Sequence, residues 1–165
     1  MDKVSGDEGK AENYKNILAV QVKYPNMTMR VIVAHSAQET NKQEVRQRFF
    51  YSLKLEVERG HLNDDAVIIM GDMNGRIEIQ NEEIVSTSPN GMLLREVILE
   101  NNLKIANYHP SASGFWTRIQ HTKQGTKKSA IDFCLVDDNN YHNVKNVIID
   151  ECKASESPLR KAKNT

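Results

Sequence analysis

The segment Val67-Ile68-Ile69-Met70-Gly71-Asp72-Met73-Asn74-Gly75 constrains this chain more than any other. Four apolar residues that stop at a glycine read as a strand buried inside a sheet. Alternate residues of a strand face the same way, so the spacing predicts Asp72 and Asn74 as a carboxylate and a carboxamide side by side at the strand's end. A charge and an amide at the mouth of a buried strand are costly unless something binds there. An acceptor beside a donor suits holding a water or a metal against a phosphate while the amide steadies an oxyanion. Asp, Asn and Gly are also the commonest turn residues, so this segment alone leaves turn and site both open.

A second apolar run, Lys127-Lys128-Ser129-Ala130-Ile131-Asp132-Phe133-Cys134-Leu135-Val136, carries one acid, Asp132, with Ser129 three residues before it. A lone carboxylate in a buried strand costs several kcal/mol unless it is paired or ligating. Taken in order with Gly71-Asp72-Met73-Asn74, this segment resembles the endonuclease/exonuclease/phosphatase superfamily, whose motifs are Gly-Asp-x-Asn and a later Ser-x-Ile-Asp-aromatic. The text between them is similar to the non-LTR retrotransposon endonuclease branch and its phage or bacterial relatives. Asn90-Gly91-Met92-Leu93-Leu94, then Glu100-Asn101-Asn102-Leu103-Lys104-Ile105-Ala106-Asn107, resemble that branch's helix and next strand. Phe115-Trp116-Thr117-Arg118 resembles its aromatic-Thr strand. The likeness spans about residues 15–150.

Composition agrees with one domain. A chain of 165 residues, 39% of them hydrophobic, can bury a core. The reading is a polar arm over 1–12, a single domain over 13–150 and a basic tail over 151–165. Lysine plus arginine and aspartate plus glutamate number 22 each, and this zero balance argues against a protein that coats nucleic acid non-specifically. Cys134 and Cys152 make no metal-spaced pair. With no signal peptide and no apolar run near the ~18 residues of a membrane span, the expected setting is intracellular, in cytoplasm or nucleus, and not secreted.

The pattern predicts strands over residues 16–23 and 28–34, joined by Tyr24-Pro25-Asn26. A helix is expected over 41–58, with Val45, Phe49, Leu53 and Val57 on one face beside Phe50, capped by Thr40 or Asn41 and ended by Gly60. After the Asp72 strand come a loop through Pro89, a helix over 92–99, and strands over 104–108, 114–120, 129–136 and 144–149. This order describes a mixed α/β sheet with helices on its outer face.

The resemblance implies the C-terminal half of a four-layer α/β/β/α sandwich, since residues 1–15 offer no counterpart of the family's N-terminal Asn and metal-binding Glu. The sheet face left bare calls for a second copy or a partner protein. The family's closing Ser-Asp-His is nearest to Ser155-Glu156-Ser157, which places Glu156 with Asp72 as a metal ligand and serine where histidine belongs. The resemblance makes Asp72 the residue that orients water, Asn74 the one that steadies the phosphate, and Asp132 a support for histidine. His35 takes the family's tyrosine position and Gln38 its amide position. Trp116, Thr117, Arg118 and Ser129 are expected to meet substrate, with Lys123, Lys127 and Lys128 in a basic loop near the site. The resemblance implies Mg²⁺, with Mn²⁺ as its substitute, and DNA or another nucleic acid as substrate. Trp116 is as readily core, and the Lys runs as readily solvated loops. Two functions follow: a Mg²⁺-dependent DNA endonuclease needing self-association or a partner, or a degenerate domain that binds protein or nucleic acid without cutting.

Overall fold

The structure, a computed structural model, describes residues 16–81, 83–86 and 88–151. The apolar runs become strands β1 (Ile17–Tyr24), β2 (Met27–His35) and β3 (Ala66–Asp72), with helix α1 (Gln43–Leu62) between the last two. Next come β4 (Glu78–Gln80), β5 (Glu83–Val85), α2 (Pro89–Glu100), β6 (Leu103–Ile105) and a 3₁₀ turn over Ala106–Tyr108. The chain continues through β7 (Ala112–Ser113), β8 (Arg118–Thr122), β9 (Gly125–Ser129), β10 (Asp132–Asp137), α3 (Asp138–Tyr141) and β11 (Val147–Ile148). The main sheet runs β1-β2-β3-β10-β6. β2 and β3 are parallel and α1 makes the crossover, while the other pairings are antiparallel.

One face of this sheet is a core. Ile32, Ala34, Val67, Ile69, Phe133 and Leu135 alternate inward to meet Phe49, Phe50, Leu53 and Val57 of α1 and Leu94, Val97 and Ile98 of α2. Among the described residues no helix covers the other face. Leu18, Val20, Tyr24, Met27, Val33 and Met70 project from it, each between 42 and 62% exposed. The mixed α/β half-sandwich expected from sequence is therefore the architecture found, with its bare apolar face. Among the described residues no helix is long and apolar enough to cross a membrane.

Several local expectations are corrected. Helix α1 starts at Gln43 with Lys42 as its cap residue, because the backbone and side-chain amides of Asn41 turn back to the Gln38 carbonyl. Gly60 does not end it. The helix runs to Leu62, and Gly60 lies where a Cβ would meet Val67 Cγ2 at 2.6 Å, so it is a packing glycine. Val45, expected on the inner face, is exposed. The loop before Pro89 contains the β4–β5 hairpin, turned at Asn81 with φ 50°. Strand 104–108 stops at Ile105, where the 3₁₀ turn begins. Strand 114–120 starts only at Arg118, and strand 129–136 is broken between Ser129 and Asp132. Lys127 and Lys128 consequently lie on strand β9 of a β8–β9 hairpin rather than in a loop, with Lys123 in the hairpin's turn.

Replacing Leu53, fully buried at the heart of the core, should separate the two faces. We expect Leu53→Ala to lose ~2–5 kcal/mol of unfolding free energy. Val33→Thr on the bare face should shift it by no more than about 0.5 kcal/mol. Urea denaturation of the two variants measures the difference.

Candidate active site

Three strands end together at one edge of the bare face. His35 of β2 pairs in register with Asp72 of β3, and Asp72 pairs in register with Asp132 of β10. Register partners share a face, so imidazole, carboxylate and carboxylate stand in a row. His35 Nε2 lies 3.9 Å from Asp72 Oδ2, with the imidazole well exposed and the carboxylate half-buried. Gly71 makes the close strand approach feasible: its φ is 148°, and a Cβ there would fall 1.8 Å from the Ala34 carbonyl oxygen. That is the physical content of the glycine before the aspartate.

Asn74 does not continue the strand beside Asp72, as alternation implied. It takes φ 43°, its backbone N–H donates to Asp72 Oδ1 at 2.8 Å, and its side-chain amide donates to the Ser36 carbonyl at 3.0 Å. An Asx turn replaces the next strand residue, so the turn reading and the site reading of this segment coexist. The amide thus ties the loop after β2 to the loop after β3.

Asn90, just ahead of the helix expected over 92–99, completes that tie. It is fully buried at the start of α2, and its Nδ2 faces the carbonyls of Ala37 at 2.8 Å and Asn74 at 3.1 Å. Ser36 Oγ donates to the Met73 carbonyl in the same junction. Ser88 caps the helix, accepting from Gly91 N–H at 3.2 Å and Arg76 N–H at 2.9 Å. The Ser-Pro-Asn-Gly text was the available signal, a cap and first turn with an amide that no helix interior favours.

Asp132 is held through its backbone. Thr117 Oγ1 accepts from the N–H groups of Ile131 at 3.0 Å and Asp132 at 3.1 Å. Asn107 donates to the Asp132 carbonyl at 3.1 Å and accepts from Cys134 N–H at 2.8 Å. Thr117 Oγ1 is thereby engaged as an acceptor by the strand, and its O–H is left to donate. Trp116 sits in the preceding turn, half-buried, edge-on to Phe115 with centroids 4.5 Å apart. With Arg76, Tyr108, Lys128 and Ser129 these rings line a cleft of about 490 Å³ next to the strand ends. Gln38 is exposed on the loop after β2, and Glu156 lies outside the described residues.

The electrostatics are uneven. Burial raises the Asp72 carboxyl above the usual range, the Asn74 N–H opposes this, Asp132 raises it again, and the charges of His35 and Arg118 lower it. Arg118, at the root of the β8–β9 hairpin, is thereby brought into electrostatic reach of the row. From Asn101 to Ile131 the chain holds no Asp or Glu, but it holds Lys104, Arg118, Lys123, Lys127 and Lys128. A neutral protein thus carries a cationic hairpin beside its carboxylates. Among the described residues no group of three His, Cys, Asp or Glu is arranged to hold a metal ion. Asp72 and Asp132 supply the hard oxygen donors that suit Mg²⁺, which commonly takes one or two carboxylates and keeps its waters.

No family model and no curated protein matches the chain. Solved structures do. The 3'-5' exonuclease NExo from Neisseria meningitidis aligns with a TM-score of 0.62 at 17% identity, covering 86% of this chain and 60% of that one. The AP endonuclease LMAP from Leishmania major aligns at 0.59 and 15% identity, covering 79% and 48%. The endonuclease domain of TRAS1, a telomere-specific non-LTR retrotransposon, aligns at 0.51 and 15% identity, covering 75% and 51%. The chain has the endonuclease/exonuclease/phosphatase fold, over about half to three-fifths of those proteins' length.

A carboxyl with a raised pKa stabilises the fold fully below its ordinary value, and that contribution is lost as pH rises through the raised one. Ionised Asp72 is therefore a cost at neutral pH. Asp72→Asn keeps an acceptor for the Asn74 N–H and should be at least as stable as wild type at neutral pH, the gain disappearing near about pH 4. Denaturation at the two pH values reads this out, and a less stable variant at neutral pH contradicts it.

Proposed function

We propose that this domain is a Mg²⁺-dependent phosphodiesterase of the DNA-endonuclease type. The observation that carries the reading is the in-register row His35, Asp72, Asp132 at the strand ends of a fold that is similar to nucleases. One of its structural relatives, NExo, is described bound to a product DNA hairpin. Asp72 and Asp132 would hold the ion, and Mn²⁺ would substitute. Bound there, the metal supplies charge neutralisation at the phosphate and relieves the repulsion between the two carboxylates.

The chain's own groups divide the remaining work. Asp72, whose carboxyl burial holds above its usual range, orients the attacking water. Asn74 gives one side-chain N–H to Ser36 and offers the other to a phosphate oxygen. His35, exposed at the end of the row, contacts the phosphate. Arg118 and the hairpin lysines grip the flanking backbone, and Trp116, Ser129 and Gln38 border the strand. Glu156 is the proposed further metal ligand. The bare apolar face is covered by a second copy or a partner protein, and the location is intracellular. That same face favours a second reading, in which the domain has lost cutting and serves as a binding module.

Nicking of supercoiled plasmid with Mg²⁺ or Mn²⁺ separates the two. Wild type should cut, and Asp72→Ala or Asn74→Ala should cut ~10²–10⁴-fold more slowly. A folded wild type that never cuts leaves the binding module. Mg²⁺ should also raise the melting temperature of wild type and leave that of Asp72→Asn unmoved. For the hairpin, Lys127→Ala with Lys128→Ala should weaken duplex binding and reduce the slope of affinity against salt by about two.

A further inference from the structure

The turn that precedes β8 is fastened from the far end of the chain. Glu151 Oε1 accepts from Phe115 N–H at 2.7 Å and from Trp116 N–H at 3.1 Å. Two adjacent amides converging on one carboxylate oxygen are charge-assisted bonds, the stronger kind. The bonds hold the Glu151 carboxyl below its usual range, the Trp116 amide first and the Phe115 amide second, with Lys128 adding to the effect. The segment that delivers Glu151 is itself anchored, since β11 pairs with β7 and Ile149 N–H donates to the Ser113 carbonyl at 2.8 Å. Gly114 sits at φ 79° between them, where a Cβ would fall 2.3 Å from the Ile149 carbonyl oxygen.

The residue after the fastened pair is Thr117. Its N–H donates to the Ser129 carbonyl at 3.2 Å, and its hydroxyl takes the amides of Ile131 and Asp132. The Ile131 carbonyl in turn accepts from Met73 N–H at 2.8 Å, next to Asp72. A continuous set of hydrogen bonds thus runs from Glu151 through the turn to both carboxylate strands. A half-exposed acid needing only solvent would not be aimed at two consecutive backbone amides.

We propose that Glu151 is a positioning residue, setting where Asp132 and the Met73 end of β3 stand by holding the Phe115–Thr117 turn. Its effect on catalysis rests on the phosphodiesterase reading, whereas its effect on placement does not. Oxygen acceptance is what matters here, so a glutamine, whose carbonyl accepts the same two N–H groups, replaces it, and alanine does not.

The test uses Glu151→Ala and Glu151→Gln in the full chain, with two readouts. In ¹H–¹⁵N spectra, alanine should shift the amides of Ile131, Asp132 and Met73 as well as those of Phe115 and Trp116, and glutamine should return them. Emission of Trp116, the single tryptophan, should follow the same pattern. In plasmid nicking, alanine should lower kcat ~10–100-fold with KM changed less than about threefold, and glutamine should recover most of the loss. Unmoved amides at 131 and 132, a glutamine variant that behaves like alanine, or unchanged nicking by alanine would each overturn the proposal. Coupled amides in a wild type that cuts nothing would support the positioning role and reject the phosphodiesterase reading.

Discussion

A slip of β3 by a single residue against either neighbour would turn Asp72 into the helical core and bring Gly71 to the bare face. Everything at the site depends on that double register, which aligns three strand ends from segments far apart in sequence. The register is enforced from the opposite face. Val67 and Ile69 must be buried under α1 and α2, and the parity of the strand then decides where the acid goes. Hydrophobic burial, which has no chemistry of its own, thereby fixes the orientation of the carboxylates.

The loops around those strand ends are then fixed by amides. Asn74, Asn90 and Asn107 each join backbone from two different elements. Such side chains suit the task because a carboxamide donates to backbone carbonyls without the desolvation cost of a charge, and Asn107 accepts as well. Burial concentrates these networks where the row of titratable groups needs rigid support. Rigidity comes from uncharged groups, which surround the titratable side chains of the row.

The central strands and both long helices were legible in the sequence, because apolar period and glycine punctuation are local signals, whereas the bare face was expected only from the family resemblance. Asp72, Asp132 and His35 were legible because each interrupts or ends an apolar strand. Asn74 was found by type but assigned the wrong direction, since alternation cannot anticipate an Asx turn that begins at the acid itself. The backbone ties of Thr117 and Asn90 had no local signal either, since only tertiary pairing reveals which backbone groups a hydroxyl or amide engages. Glu151 carried no signal, because its partners lie 35 and 36 residues away.

The contrast between near and distant pairings within one sheet has a temporal consequence. β1, β2, α1 and β3 follow one another and contact their neighbours in order, whereas β10 must return to β3 across about sixty residues. Local contacts close rapidly and distant ones pay loop entropy first. The chain can gather its helix and parallel pair early, with most of its secondary structure present. Docking of β10 is what brings Asp132 opposite Asp72, so the row is completed by the pairing of this sheet that spans the most sequence.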